Sequence, residues 1–245
     1  MPNRKRSHAL QPAQASANRL LAALPRKETA QLRPHLEKLQ LGQHTTLYEM
    51  NKPIKHLYFL TRGVASIVTP VKDERPVESA TVGPEGVIGI PIVLGAAQTA
   101  SRAFIQVSGE GFRIEVQSFK KIIGGCRELN RILLRYTLAL LTQVAQNAAC
   151  NRMHSIEERC ARWLLMTHDR VHKNSFSLTQ DFLAQMIGVR RPSVSIAASI
   201  LAKAGLIDYV RGDITVLDRA GLEAASCECY KVVRSEFERL LGTSG

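Results

Sequence analysis

The side chains best suited to a charged partner stand close together, at Thr179-Gln180 and at Arg190-Arg191. A guanidinium carries its N–H donors in a planar fork, which fits the O6 and N7 acceptors of guanine or a pair of phosphate oxygens. Hydroxyl groups at Thr179, Ser193, Ser195 and Ser199 and the amide of Gln180 can bond phosphate or base edges, and Ile196 suits a thymine methyl. Arg211 lies further on, in Arg211-Gly212-Asp213, where it can add a phosphate contact. Two other clusters suggest metal chemistry. Cys227-Glu228-Cys229 is expected on a helix, and residues two apart on a helix do not share a face, so one cysteine is expected in the core and the other partly exposed. His168 and His172 are spaced to share a face, but no third ligand is near in sequence, so they are expected as surface histidines. No metal site and no cofactor are therefore expected. No Ser-His-Asp order, phosphate-binding loop or dinucleotide fingerprint is present, which makes an enzyme the least favoured class.

These side chains need a scaffold, and the surrounding pattern supplies one. Thr179 is a good N-cap for a short helix with Phe182, Leu183, Met186 and Ile187 on its apolar face. Gly188 is the residue type that ends a helix in a left-handed turn. A second helix starts near Arg190, tolerates Pro192 in its first turn, and buries Val194, Ala197, Ala198 and Leu201. Opposite that face lie Pro192, Ser195, Ile196, Ser199 and Lys203, with Ser193 at the edge. This is a helix-turn-helix, whose second helix enters a DNA major groove with its first turns at the base edges. Leu206–Val210 and Ile214–Leu217 flank the Arg211-Gly212-Asp213 turn and predict a two-stranded wing, and a last helix is expected over Arg219–Leu241.

Upstream, residues 127–152 contain no Gly or Pro and carry a wide apolar face. A helix near 26 residues with such a face can pack on its own domain and on a second copy; Leu133, Leu140, Leu141, Val144 and Ala148 are the expected dimer contacts. Ser155-Ile156-Glu157-Glu158 fits a capping box and predicts a new helix from 156, with a domain boundary at 152–155. Between 39 and 116, five short β-rich runs punctuated by glycines (His56–Leu60, Val64–Val68, Val77–Val82, Ala103–Val107 and Phe112–Val116) suggest an antiparallel barrel or sandwich. Residues 19–38 predict a short helical pair, and 1–18 a flexible basic tail.

A chain of 245 residues with 45% hydrophobic residues is not a disordered one. Its formal charge of +12 points to an anionic partner. Residues 150–245 hold 13 Lys and Arg against 11 Asp and Glu, while 1–149 hold 20 against 10, so the surplus lies outside the segment expected to read DNA. The five cysteines form no CxxC pair, the N-terminus has no apolar run of signal-peptide type, and the uncharged runs 86–101 and 136–151 are broken by Gly and Pro or by amides. A cytoplasmic protein with no membrane contact is expected.

At this point the layout resembles the Crp/Fnr superfamily of bacterial transcription regulators over roughly 40–241. His56 through Gly63 resembles the hairpin-and-glycine signature of a cyclic-nucleotide-binding-type β-roll. Gly86-Val87-Ile88-Gly89 resembles the approach to its phosphate cassette, and Thr179 through Leu201 resembles the helix-turn-helix in register at Gly188. The resemblance implies an α+β fold: a jelly-roll-like antiparallel β-roll sensor over 19–126, a dimerisation helix over 127–152 and a winged helix-turn-helix over 153–245. It implies a homodimer on a palindromic operator, with RNA polymerase as a further partner. The effector pocket would involve Gly89, Ile90, Ser101 and Arg102. The Glu that holds the ribose in nucleotide-binding members is replaced by Ile90, and the phosphate-pairing Arg aligns with Ser101, one position before Arg102. Adjacent strand residues face opposite sides, so Arg102 is expected to point away and cAMP is expected not to bind. In the reading helix Arg191 matches the family's first Arg, while Pro192 and Ile196 replace its Glu and second Arg, which implies a different operator. With no cysteine before Cys126, an N-terminal iron–sulfur cluster is not expected. The alternatives on the same scaffold are a cyclic-nucleotide-responsive regulator and an adaptor subunit that does not touch DNA.

Overall fold

The structure is a computed structural model that describes residues 17–72 and 76–242. Most of the expected basic tail, residues 1–16, lies outside the described residues. Asn18, the last residue assigned to that tail, is fully buried. Its amide donates to the carbonyls of Leu60 and Gly86, both at 2.9 Å, and its oxygen caps α1 (Arg19–Ala22). After α2 (Arg26–Leu32) the chain enters an antiparallel sheet of β1 (Glu37–Leu41), β2 (Thr46–Tyr48), β3 (His56–Thr69), β4 (Val77–Val82) and, beyond the short α3 (Ile90–Val93), β5 (Arg102–Glu115). The strand order is β1-β5-β3-β4, with β2 also on β5.

The five short runs expected from the sequence are here three strands. His56–Leu60 and Val64–Val68 are both parts of β3, and Ala103–Val107 and most of Phe112–Val116 are parts of β5. The glycines that suggested breaks instead let these two 14-residue strands pass each other closely. Gly63 has φ +88°, and a Cβ there would lie 2.6 Å from the Val107 carbonyl oxygen; a Cβ on Gly109 would lie 2.1 Å from that of Arg62. The pairing shifts register around Arg62–Val64 and continues, as at a β-bulge. Val116 leaves the strand to begin α4 (Val116–Ile123). β1, with sequence EKLQL and mostly exposed, is too polar to read as a strand and pairs as an edge.

α5 (Arg127–Met153) is one helix of 27 residues. Its first amides are capped from outside, since the Glu28 carboxylate accepts from the N–H groups of Glu128 and Leu129 at 2.9 and 2.8 Å. Leu129, Ile132, Leu133, Tyr136, Ala139, Leu140, Gln143, Asn147 and Cys150 face inward at helical spacing. Gly86 admits the Tyr136 ring, because a Cβ there would sit 2.4 Å from its hydroxyl. Ser155 and Glu158 form the expected reciprocal capping box, and α6 (Ile156–Val171) begins in a new direction.

Then follow β6 (Ser175–Ser177), α7 (Gln180–Ile187), α8 (Arg191–Lys203), β7 (Ile207–Val210) and β8 (Asp213–Val216), with sheet order β6-β8-β7. β6 pairs with β8 as a third strand beside the wing, which the sequence reading did not include. The expected last helix is two, α9 (Arg219–Ala225) and α10 (Cys229–Leu241), separated by Ser226–Glu228.

α6 binds the two halves into one continuous core. Trp163 donates its indole N–H to Glu78 on β4 at 2.8 Å, and Arg170 meets Glu85 at 2.8 Å. Arg162 donates to Asn147 of α5 at 2.6 Å. Glu78 is buried with one carboxylate oxygen lacking a partner. Burial pushes its carboxyl up to about 7, against the pull of Ser66, Trp163, Arg162 and Arg170. A raised folded-state value means that protonation favours the folded protein. That stability is fully present below the ordinary carboxyl value and is lost as pH rises through about 7. We therefore expect Glu78→Gln, which keeps an acceptor for Trp163, to gain on the parent by on the order of 1–3 kcal/mol between pH 5 and pH 8 in calorimetric unfolding. A constant difference across that window would mean Glu78 does not titrate there.

Candidate nucleic-acid interface

Thr179 caps α7, its hydroxyl oxygen accepting from the Phe182 N–H at 3.1 Å. The helix ends at Gly188, which is left-handed at φ +66°. Val189 N–H bonds Ala184 O at 2.9 Å and Gly188 N–H bonds Gln185 O at 3.3 Å, the pair of bonds of a Schellman turn. The buried Arg159 of α6 adds a bond to the Ile187 carbonyl, so another end carbonyl of α7 is also satisfied. The turn therefore has little freedom, and it sets where α8 starts.

Arg190 is the N-cap of α8, Arg191 its first residue and Pro192 its second, with no side-chain cap on the exposed first turn. Free amides, the helix dipole and two guanidinium groups make this end attractive to an anion. Val194, Ala197, Ala198 and Leu201 are buried, as expected, and the small alanines let α8 cross its neighbours closely. Arg190, Arg191, Pro192, Ile196, Ser199 and Lys203 are exposed, and Ser193 is half-buried. Ile196 is 61% exposed, and Ile200, which the sequence reading did not single out, is 47% exposed one turn on. Ile200 was legible as i+4 from Ile196 on the outer face. Ser195 departs from expectation: it is half-buried and donates to the Gln180 side-chain oxygen at 2.5 Å, tying α8 to α7. Part of the bonding capacity of Gln180 and Ser195 is thus used within the protein.

The wing turns at Arg211 and Gly212, with φ +52° and +91°. Two successive positive φ values are those of the type I′ hairpin turn, and they leave Arg211 exposed at the tip. Tyr209 donates its hydroxyl to Leu178 O at 3.1 Å, and Leu178 N–H bonds Gly212 O at 2.7 Å, so the wing is anchored beside the start of α7.

The four residues of the expected effector pocket are held by separate neighbours. Gly89, at φ +112°, caps α3 against Leu57, and Ile90 is buried. Ser101 lies 3.4 Å from the Tyr48 hydroxyl and 3.2 Å from that of Thr99. Arg102 donates to Thr46 at 2.9 Å, sits 3.7 Å from a Glu49 carboxylate oxygen and lies over the Phe104 ring.

On α5 the expected dimer face needs correction. Leu133 and Leu140 point into their own chain, because the sheet and the other helices cover that side. Exposed along its middle are Leu134, Leu138, Leu141 and Val144, with Ala145 and Ala148 alongside, and Met153 is exposed at its end. Cys227 and Cys229 are both buried, where one was expected partly exposed, and both lie with Cys150 and His154. The expectation assumed one helix through 219–241; the break at Ser226–Glu228 removes that premise. His168 and His172 have different neighbours. His168 contacts Arg219 at 2.7 Å and Asn174 at 3.1 Å, and His172 is exposed at the end of α6.

Among the described residues no helix is long and apolar enough to cross a membrane. Comparison with known proteins gives a consistent result for the fold. Residues 158–225 match the family model of the Crp-like helix-turn-helix domain. FixK2 from Bradyrhizobium japonicum is similar at 18% identity and TM-score 0.67, over 78% of this chain and 98% of that one. A CRP-family transcriptional regulator from Thermus thermophilus is similar at 20% identity and TM-score 0.62, over 84% and 97%. The c-di-GMP-responsive global regulator CLP of Xanthomonas campestris is similar at 14% identity and TM-score 0.61, over 78% and 99%. Curated proteins give no match to the sequence. The chain thus carries a Crp-like helix-turn-helix domain on the fold of the Crp/Fnr transcriptional regulators.

Proposed function

We propose that the protein is a sequence-specific DNA-binding transcription regulator that acts as a homodimer. Residues 19–126 are its sensor, 127–152 its dimerisation helix and 153–245 its DNA-reading domain. The observation that carries this reading is the exposed, uncapped first turn of α8, with Arg190 and Arg191 at its tip and Ile196, Ser199 and Ile200 along its outer face. Arg191 is the residue to read a guanine, with Arg190 and Ser193 beside it, Thr179 and Gln180 directed to phosphates on one flank, and Arg211 on the other. Ser195 acts mainly through its bond to Gln180. An adaptor that had given up DNA would be expected to have lost this surface.

The dimer reading rests on spacing. Leu134, Leu138, Leu141, Ala145 and Ala148 alternate steps of four and three, the a/d rhythm of two helices packed side by side, and Val144 flanks the seam. Two copies joined along α5 would present two reading helices to half-sites about 34 Å apart, one helical turn, on a palindromic operator.

The effector is not cAMP in this reading. A carboxylate for the ribose is replaced by buried Ile90, and Arg102 is engaged with Thr46 and Glu49.

Three outcomes test these points. Duplexes selected from a random pool should yield a palindromic site, on which Arg191→Ala costs about 1–3 kcal/mol by fluorescence anisotropy, with a much smaller loss on random DNA. Equal losses on both would reduce Arg191 to a phosphate contact. Leu138→Asp with Leu141→Asp should convert a dimer to a monomer in sedimentation equilibrium while leaving the circular dichroism unchanged; a variant that remains dimeric would remove α5 as the seam. Titration calorimetry with cAMP should give no binding heat, and micromolar affinity would overturn the assignment of Ile90 and Ser101.

A further inference from the structure

A second cluster of reactive side chains lies at the corner where α5 ends and α10 begins. Cys150 and His154 stand four residues apart at the end of α5, His154 being its C-cap. Cys227 lies in the break before α10, and Cys229 is that helix's first residue. Ser226 is extended at ψ 155°, so the preceding helix stops before Cys227 and the chain re-enters a helix only at Cys229. One donor atom from each of the four residues lies within 4.8 Å of all the others. Cys150 Sγ is 3.5 Å from Cys227 Sγ, and Cys229 Sγ is 3.5 Å from His154 Nδ1. The three cysteines are buried and form a small cluster of their own, separate from the main hydrophobic core and without an aliphatic or aromatic member.

We propose that Cys150, His154, Cys227 and Cys229 form a mononuclear tetrahedral zinc site, three thiolates and one imidazole, that fastens the α5–α6 corner to the start of α10. The donor set is that of structural zinc centres, which close all four positions with protein ligands. Bond lengths of about 2.3 Å to sulfur and 2.0–2.1 Å to nitrogen place tetrahedral donors roughly 3.4–3.8 Å apart. The two 3.5 Å contacts already have that spacing, and the widest pair needs to close by about an ångström to reach it.

The surroundings are those of a ligand set. His154 turns Nδ1 to the cluster and Nε2 to the Glu228 carboxylate, 3.2 Å away. A carboxylate on the far nitrogen fixes the tautomer that leaves the near one free to bind metal. The amide of Gln146 donates to Cys229 Sγ at 3.1 Å, a bond that favours a thiolate. The Arg162 guanidinium, bonded to Asn147 one turn before Cys150 at 2.6 Å, stands near the cluster. Three thiolates around one Zn²⁺ leave a net negative charge, and the Arg162 guanidinium is placed to offset it.

Two other chemistries fit less well. An iron–sulfur cluster needs donors spread around a core of several atoms, whereas these four surround room for a single ion. A Cys150–Cys227 disulfide would need its sulfurs about 2.05 Å apart, and it would leave Cys229 and His154 without a role.

The test uses the full chain purified anaerobically with a phosphine reductant and no added metal. Plasma mass spectrometry should find about one zinc per chain. After chelation, Co²⁺ titration should give the intense visible bands of tetrahedral cobalt and a near-ultraviolet thiolate-to-cobalt charge-transfer band, saturating at one equivalent. Cys150→Ser with Cys227→Ser should lose both signals, while His154→Cys, a ligand-for-ligand exchange, should keep the metal. The cobalt spectrum is read on the unaltered chain, so it decides the matter even if the serine variant fails to fold. Less than about a tenth of a zinc per chain with no tetrahedral cobalt bands would overturn the proposal. So would iron with acid-labile sulfide, or a Cys150–Cys227 disulfide in the anaerobic protein.

Discussion

The placement of the reading helix depends on the contact between Arg170 of α6 and Glu85 in the turn after β4. Both side chains are nearly buried, at 8% and 12% exposure, and meet at 2.8 Å. A buried ion pair gains little net stability, because each charge gives up its hydration, but breaking one half leaves a charge stranded in the interior. Such a pair therefore favours one arrangement over its neighbours. Trp163 with Glu78 and Thr167 with Gln106 repeat the device along the same face of α6. Each joins a helix of the C-terminal half to the N-terminal sheet.

Everything downstream follows from how α6 is held. Its Arg159 donates to the Ile187 carbonyl at the end of α7, α7 ends in the Gly188 turn, and that turn fixes the first residue of α8. Phe182 of α7 also stacks edge-on against Phe104 and lies against His44, both in the N-terminal half. Packed and hydrogen-bonded groups thus run without a gap from Glu78 and Glu85 through α6 to the start of α8. The polar character of this interface holds one register, since a purely apolar contact would be less particular about it.

The C-terminal half has a second anchor in α10, which lies along α5 and brings Cys227 and Cys229 to Cys150 and His154. The C-terminal half thus meets the rest of the chain at two places, one made of buried carboxylates and guanidiniums and one of sulfur and imidazole. α5 takes part in both, through Asn147 and through Cys150.

Much of this was legible in the sequence wherever local rules are sufficient. Ser155 and Glu158 announce their own capping box, Thr179 and Gly188 bound a helix, and Arg211-Gly212 turns a hairpin, because each depends on residues within one turn of chain. The apolar face of α8 was legible too, since helical period alone separates Val194 and Ala197 from Ile196. What required the folded chain was any question of which apolar face meets which neighbour, or which distant residues meet at all. The sequence of α5 has apolar residues nearly all round, and only packing against the sheet decides that Leu133 and Leu140 turn inward while Leu134, Leu138 and Leu141 remain outside. Gly63 and Gly109 read alone as strand breaks; together they are the close approach that makes two long strands possible. Cys150 and Cys227 are 77 residues apart, and no periodicity in one segment carries the position of the other. The sequence by itself therefore determined the kind of domain and the exposed outer face of its second helix. Tertiary structure decided which apolar face of α5 stays exposed, the buried charges that orient the domain and the four-residue sulfur–imidazole cluster, because each arises from contacts between segments whose local patterns are independent.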